Sequence, residues 1–283
     1  KFTLRRLENG HAELSAGPKR VYRLVALDQQ DFPKMPAFQE ADFQAVDPKA
    51  LRGLLDLVGY ALSTDESRPH LAGALLERPP GKDGKLRLVG TDGHRMAIAD
   101  AEIPLRLPDR PVLIPRAGLK EIGRILGDAE RAEVGFHRGH LFLRAGQTVL
   151  GVKLLDAQFP PYEQVIPKAQ PIVLKVKRED LLQAVERMLI VAPERTGAIR
   201  LRLAPGLIRV FAENPDLGDG SEEIGAEGDS PDGFLIGLAG RFLVEPLGAL
   251  SAAEVEIGFG ENGEQPLTLQ APGYLGIVMP QTI

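Results

Sequence analysis

One stretch of this chain occurs twice, a whole domain apart. His140-Leu-Phe-Leu-Arg-Ala-Gly146, followed by Lys153-Leu-Leu-Asp-Ala-Gln-Phe-Pro160 and Val165-Ile-Pro167, has a weaker double near the start of the chain. There it reads His11-Ala-Glu-Leu-Ser-Ala-Gly17, Leu24-Val-Ala-Leu-Asp28, Asp31-Phe-Pro33 and Met35-Pro36. The histidines stand 129 residues apart, and Phe32 and Phe159 stand 127 apart. A second echo, at 121 residues, links Ala132-Glu-Val134 to Ala253-Glu-Val255. Self-similarity at a fixed period dictates architecture ahead of any local signal. A period this long means a few large copies of one domain and not a solenoid.

The copies divide the chain. Residues 1–37 read as the last strands of a truncated first copy, closed by the Pro-punctuated Phe32–Pro36 segment. The second copy covers residues 38–168 and the third residues 169–283. The headless first copy and the absence of an initiator Met predict that most of a first domain is missing. A length of 283 residues suits about two domains of ordinary size. Apolar residues at 43% supply enough material for a core in each. With no cysteine, disulfides and thiolate metal sites are excluded. That fits a reducing cytosol, and a cytoplasmic location is expected. No apolar run approaches the roughly 18 residues of a membrane span, so no membrane partner is expected.

Each full copy predicts two helices separated by strands. In the second copy Asp47–Leu62 begins with an Asp N-cap and Pro48 at the first helical position. Leu51, Leu54, Leu55 and Val58 give it one apolar face. Its counterpart in the third copy is Arg178–Leu189, with Leu181, Leu182, Val185 and Leu189 inward. The second helices are Pro115–Leu126 and Ala239–Leu250, each after a short apolar strand, Val112–Ile114 and Phe234–Ile236. Pro246 predicts a kink or an early end in the last helix. Alternating stretches at Ala132–Arg144 and Glu254–Leu269 follow the helices. The fold class is α+β: repeated domains, each with two helices packed on antiparallel sheets.

Four strings occur in order along this repeated chain: Ser63-Thr-Asp-Glu-Ser-Arg-Pro-His-Leu-Ala-Gly73, Thr91-Asp-Gly-His-Arg-Met-Ala97, Phe159-Pro-Pro-Tyr162 and Val278-Met-Pro280. Together they make the chain resemble the bacterial sliding clamps, the beta subunits of DNA polymerase III, with most of the first of three domains lacking. The resemblance implies a head-to-tail homodimer in the full-length form, closing a six-domain ring around duplex DNA. Twelve helices would line the hole and the sheets would form the outer layer. Such a ring confers processivity by topology, performs no chemistry and needs no cofactor or metal. A chain without its first domain has lost half of each subunit interface, so this one is expected to be mainly monomeric.

The net charge of −5 argues against nucleic-acid binding unless the positive charge is localised. In Pro115–Leu126 it is: Arg116, Lys120 and Arg124 share one helical face with Glu121 as the lone acid, opposite Leu119, Ile122 and Ile125. Under the resemblance this stripe faces non-sequence-specific duplex DNA, and Arg68 and His70 add backbone contacts. The other three helices are near neutral, which suits sliding, because many tight phosphate contacts would act as brakes.

The resemblance also implies a pocket between the second and third domains. It would take a short peptide with Leu and Phe anchors from the polymerase III alpha subunit, the clamp loader and other proteins bearing a clamp-binding motif. Carried over by position, its walls are Leu71, the hairpin residues Thr91, Gly93, His94, Arg95 and Met96, then Pro160, Val165 and Phe242, and the terminal Ile277, Val278, Met279 and Pro280. Aliphatic and Met side chains make an adaptable apolar hollow. Arg95 and His94 are expected to offer hydrogen bonds at the rim. Three features depart from the family pattern. Gln164 stands where many members carry a basic residue. The terminus Gln281-Thr282-Ile283 also lacks the usual positive charge, and Phe242 replaces a common Tyr. The peptide preference is therefore expected to shift away from acidic partners.

Two other readings compete. An enzyme built on Asp92 and His94 would need converging acid–base partners, and His11, His70, His94, His137 and His140 show no metal-ligand spacing. A repeat-built protein-interaction scaffold without DNA encirclement is the alternative.

Overall fold

Successive side chains of a strand point to opposite faces of its sheet, and here that rule builds two cores on one sheet. The computed structural model describes residues 1–32, 36–65, 67–82 and 84–281. Part of the Phe32–Pro36 punctuation, Glu66 of the first family string and the terminal Thr282-Ile283 lie outside the described residues. The chain divides into two compact units, Lys1–Ala37 and Phe38–Ile283.

The first unit is a three-stranded antiparallel meander, β1 (Thr3–Arg6), β2 (Ala12–Ser15) and β3 (Val21–Leu24). Leu14 pairs with Tyr22 and Glu13 with Arg23. Leu4, Val21, Tyr22 and Leu24 are exposed.

The second unit carries the two full copies. The second copy runs β4 (Gln44–Val46), α1 (Pro48–Asp56), β5 (Gly73–Glu77), β6 (Lys85–Thr91), β7 (Arg95–Glu102), β8 (Val112–Pro115), α2 (Arg116–Leu126), β9 (Ala132–His137), β10 (His140–Ala145) and β11 (Thr148–Lys153). The third repeats the pattern as β12 (Ile172–Lys177), α3 (Arg178–Val191), β13 (Ala198–Ala204), β14 (Leu207–Asn214), β15 (Gly218–Glu227), β16 (Leu235–Ala239), α4 (Arg241–Ala249), β17 (Glu254–Phe259), β18 (Leu267–Ala271) and β19 (Tyr274–Val278). The turns keep the repeat as well. Gly17, Gly146 and Gly273 sit at matching hairpins with φ of +76°, +57° and +73°, a backbone region that glycine enters without steric cost.

A four-stranded sheet, β11-β10-β9-β4, belongs to the second copy alone. The other sheet has twelve strands in the order β16-β13-β14-β15-β12-β17-β18-β19-β7-β6-β5-β8. The two copies therefore meet inside one sheet, where β19 pairs antiparallel with β7 from Tyr274↔Ala99 to Val278↔Arg95. On the helix side, Ala74, Leu76, Leu86, Leu88, Ala97, Ala99, Tyr274 and Val278 join the main core with the helices. The alternate residues Leu75, Val89, Met96, Ile98, Leu113 and Ile277 form a second core on the other side. That core is roofed by Phe159 and Tyr162, from the segment that connects the copies.

Helix boundaries show where local chemistry overrules the apolar stripe. Asp47 caps α1 as expected, its Oδ1 accepting from the Lys49 N–H at 2.9 Å. The helix stops at Asp56 and not at Leu62. A separate 3-10 turn, Gly59–Ala61, still buries Val58 and Ala61, so the stripe continues although the α-helix does not. Pro246 does not end α4 early; the helix runs on to Ala249, with Pro246 among its buried residues. The echo between Ala132 and Ala253 is displaced by two residues. Val46 pairs with Ala132 and Val176 with Val255, each just before its helix, so the structural counterpart of Ala132 is Val255. A two-residue shift keeps every side chain on its face, so periodicity cannot detect it.

Ile277 is 1% exposed at the joint, whereas Val173 on β12 is 47% exposed. Urea unfolding is expected to show Ile277→Ala losing about 2–5 kcal/mol, against about 0.5 kcal/mol or less for Val173→Ala.

Candidate functional site

Where β7 meets β19 the outer face of the sheet holds an apolar cavity of about 280 Å³. The β6–β7 hairpin contributes Thr91, Gly93, Arg95 and Met96; β19 and the residue after it contribute Ile277 and Met279. The connecting segment gives Pro160, Tyr162 and Val165, and the loop before β5 gives His70 and Leu71. The hairpin is set by its own chemistry. The Asp92 carboxylate accepts from the N–H groups of His94 (2.9 Å) and Arg95 (3.0 Å), and Gly93 takes φ +92°. The Gly93 N–H donates to Thr91 Oγ1, and that hydroxyl donates to the Arg95 carbonyl at 2.7 Å. The chain end is fastened to this hairpin by the Met279 N–H, which donates to the His94 carbonyl at 2.9 Å.

Beneath the cavity Arg95 locks the two copies together. Its Nε pairs with Asp92 at 3.1 Å and its Nη2 donates to the Tyr60 carbonyl at 2.7 Å. Its Nη1 forms an ion pair with Glu245 of α4. The guanidinium also lies between two rings, 5.3 Å from the Tyr60 centroid and 4.7 Å from that of Phe242. Burial pushes the Arg95 pKa down, and Asp92 pulls it back. On the helix side of the same joint the Tyr60 and Tyr274 hydroxyls are hydrogen-bonded to each other. Burial raises both phenols, Tyr274 to about 12.

The roof is held by a second polar group. Arg87 makes a bidentate pair with Asp100, at 2.7 and 2.9 Å. Its third contact is to the Tyr162 hydroxyl, which donates to Glu77 at 2.5 Å. Burial works against the Asp100 charge, but Arg87 outweighs it and holds the carboxyl below its usual range. Burial and then the Glu77 hydrogen bond raise Tyr162.

A larger hollow of about 890 Å³ lies between α1 and α2 on the helix side. Four cations reach it, Arg52 from α1 and Arg116, Lys120 and Arg124 from α2, with Asp56 as the acid. Arg116, Lys120 and Arg124 are exposed along α2 while Leu119 and Ile122 are buried, as their spacing predicts. Arg124 is paired with Glu121 at 2.8 Å and Arg52 with Asp56 at 3.5 Å.

Most of the expected pocket residues converge on the outer cavity: Leu71, Thr91, Gly93, Arg95, Met96, Pro160, Val165, Ile277 and Met279. Four do not line it. The His94 ring stacks on Phe242, centroids 6.4 Å apart, both beside Arg95. Val278 points into the main core, and Pro280 lies beyond Met279 on the tail. Arg95 is not a free rim donor, because its charge is engaged by Asp92 and Glu245 beneath the cavity. Arg68 and His70 do not stand with the α2 stripe. His70 lines the outer cavity, and the Arg68 guanidinium comes within 3.7 Å of where a Gly93 Cβ would lie. Both belong to a loop whose neighbour Pro69 reaches the other hollow, so adjacent residues serve opposite faces. Tyr162 was missed as a wall residue although it ends the Phe159–Tyr162 string. Arg52 was missed because α1 as a whole is near neutral.

Comparison with known proteins gives a consistent result. Residues 45–161 match the family model described as DNA polymerase III beta subunit, central domain, and residues 163–276 match the model of its C-terminal domain. The beta sliding clamp of Pseudomonas aeruginosa is 32% identical, over 98% of this chain and 76% of the relative. That of Caulobacter vibrioides is 29% identical, over 94% of this chain and 73% of the relative. A crystal structure of the C. crescentus beta sliding clamp superposes with a TM-score of 0.87 at 28% identity, covering 98% of this chain and 75% of that one. A Bartonella birtlesii sliding clamp bound to griselimycin gives 0.87 at 27% identity, over 100% and 76%.

The buried tyrosine pair makes stability sensitive to alkali. A folded-state pKa above the ordinary phenol value of about 10 means that folding favours the neutral hydroxyl. That contribution is complete below about pH 10 and is lost as pH rises through about 12. Thermal melts from pH 9 to 12 are expected to fall steeply above 10, and Tyr274→Phe to flatten part of that fall.

Proposed function

The chain belongs to the DNA polymerase III beta-subunit family, and from that membership we propose how it works as a sliding clamp of the replicative polymerase. In its full-length form it encircles duplex DNA as a head-to-tail dimer and holds it without sequence preference, and it docks partner proteins through the cavity at the β7–β19 joint. Residues 1–37 end a first clamp domain, 38–168 form the second and 169–283 the third. The protein works in the cytoplasm by topology and docking, without catalysing a reaction and without a cofactor.

The observation that carries the docking role is the cavity itself. Leu71, Met96, Val165, Ile277 and Met279 give it apolar walls from four separate segments, a surface for the Leu and Phe anchors of a short peptide. The occupants are the polymerase alpha subunit, the clamp loader and other proteins bearing the same kind of anchor. Arg68 and His70 serve this site and not the DNA. The DNA role rests on the α1–α2 hollow, where Arg52, Arg116, Lys120 and Arg124 can meet phosphates. Two of the four already carry an acidic partner, Asp56 and Glu121, which keeps the hold loose.

Val165 is half exposed, so Val165→Asp should leave the fold intact. Fluorescence polarisation with a labelled peptide carrying Leu and Phe anchors is expected to show at least about tenfold weaker binding, roughly 1.4 kcal/mol. Unchanged affinity would remove the cavity as the docking site. Duplex binding by Lys120→Glu is expected to weaken equally for unrelated sequences, with the salt slope reduced by about one; a native salt dependence would remove the α2 stripe from the DNA interface.

A further inference from the structure

With Arg95 engaged beneath the cavity, the charge that an occupant can meet comes from the loop before β5. That loop is held by its own backbone. The Arg68 carbonyl accepts from the N–H groups of Leu71 (2.9 Å) and Ala72 (3.1 Å), and the Arg68 N–H donates to the Asp65 carbonyl at 3.1 Å. The turn sets an apolar wall and a charged edge side by side. Leu71 is buried in the wall, and His70 is exposed and lines the same cavity. Arg68 stands at the edge, its guanidinium 3.7 Å from where a Gly93 Cβ would lie. It shares its charge with Asp65 at 3.5 Å, and that carboxylate also accepts from the N–H and hydroxyl of Ser67. His70 has no ion-pair partner among the described residues. The other titratable side chains around the cavity are engaged: Asp92 with its turn and Arg95, Tyr162 with Glu77 and Arg87. The chain end brings only Ile277 and Met279.

We propose that Arg68 and His70 form a carboxylate-reading edge of the docking cavity, so that the favoured occupant carries an acidic residue beside its apolar anchors and is favoured more strongly once His70 is protonated. This rests on the reading of the cavity as a peptide site. Arg68 supplies a fixed charge, attenuated by Asp65. His70 supplies a titratable one, because histidine is the side chain that changes charge between pH 5 and 8. A carboxylate on the occupant accepts a charge-assisted hydrogen bond from the imidazolium; a neutral imidazole offers no charge and the advantage shrinks. Affinity for an acidic occupant therefore rises as pH falls through the histidine range, down to the point near pH 4 where the occupant's own carboxylate protonates. Both side chains lie at a solvated edge, so the preference is of the few-fold size of an exposed ion pair. His70 is then a specificity residue that ranks occupants, while Leu71, Met96 and Ile277 receive the anchors common to all of them.

The test uses two fluorescein-labelled peptides with the same Leu and Phe anchors, one carrying Asp and the other Asn beside them. Native chain, His70→Gln and Arg68→Gln are titrated with each at about pH 5.5 and about pH 8, and circular dichroism checks the fold at both. In the native chain the preference for the Asp peptide is expected to be about threefold greater at the lower pH. His70→Gln is expected to abolish that pH difference, and Arg68→Gln to lower the preference at both pH values. Loss of a purely structural contact would weaken both peptides alike at either pH. A native preference that ignores pH, or a pH difference that survives in His70→Gln, would overturn the edge and leave the docking site standing. If neither peptide binds the native chain, the docking reading falls and this one with it.

Discussion

Five residue pairs between β19 and β7 hold the rest of the architecture in place. Because these strands come from different copies, their pairing turns two domain sheets into one. The same ladder brings the C-terminal tail to the β6–β7 hairpin, so that Met279 and Gly93 border one cavity. It also separates two apolar faces, the helix side and the roofed outer side, by alternation alone. Slipping the pairing by one residue would send Ile277 and Met96 to the helix side and erase the cavity floor.

The polar groups at this joint are better understood as specifying the arrangement than as adding to stability. An ion pair taken out of water recovers little more than its desolvation cost, whereas one left without its partner is strongly destabilising. Arg95, with Asp92, Glu245, the Tyr60 carbonyl and two rings around it, fits only when α4 lies against the hairpin at one angle. Arg87, Asp100, Tyr162 and Glu77 do the same for the roof. Between them the cavity is given rigid walls before any occupant arrives, which lowers the ordering cost of binding.

Much of this was legible in the residues. The repeat announced the copies; the stripe Leu51, Leu54, Leu55, Val58 and the Asp47 cap announced α1; Asp92-Gly93 announced the hairpin. Nine of the expected wall residues converge because the resemblance rests on strings from the very segments that meet at the joint. What could not be read were facts of tertiary geometry. Arg95 looks like a rim donor until Glu245, 150 residues away in sequence, is seen to claim it. Arg68 and His70 flank a residue that faces the other side of the molecule, and no periodicity marks a loop as straddling two faces. The helix-breaking reputation of Pro246 ignored its buried setting, where packing of α4 outweighs one lost backbone hydrogen bond. The displaced β9–β17 echo kept its inward face, so only the ladder could correct it.

Hydrogen exchange of the chain, free and saturated with the anchor peptide, decides whether the β7–β19 cavity is the docking site, since amide protection reports which segments an occupant covers. Slowing is expected to concentrate in residues 91–96, 162–165 and 277–279, with α1 and α2 unchanged. Protection concentrated on α1 and α2, with those three segments unaffected, would contradict it.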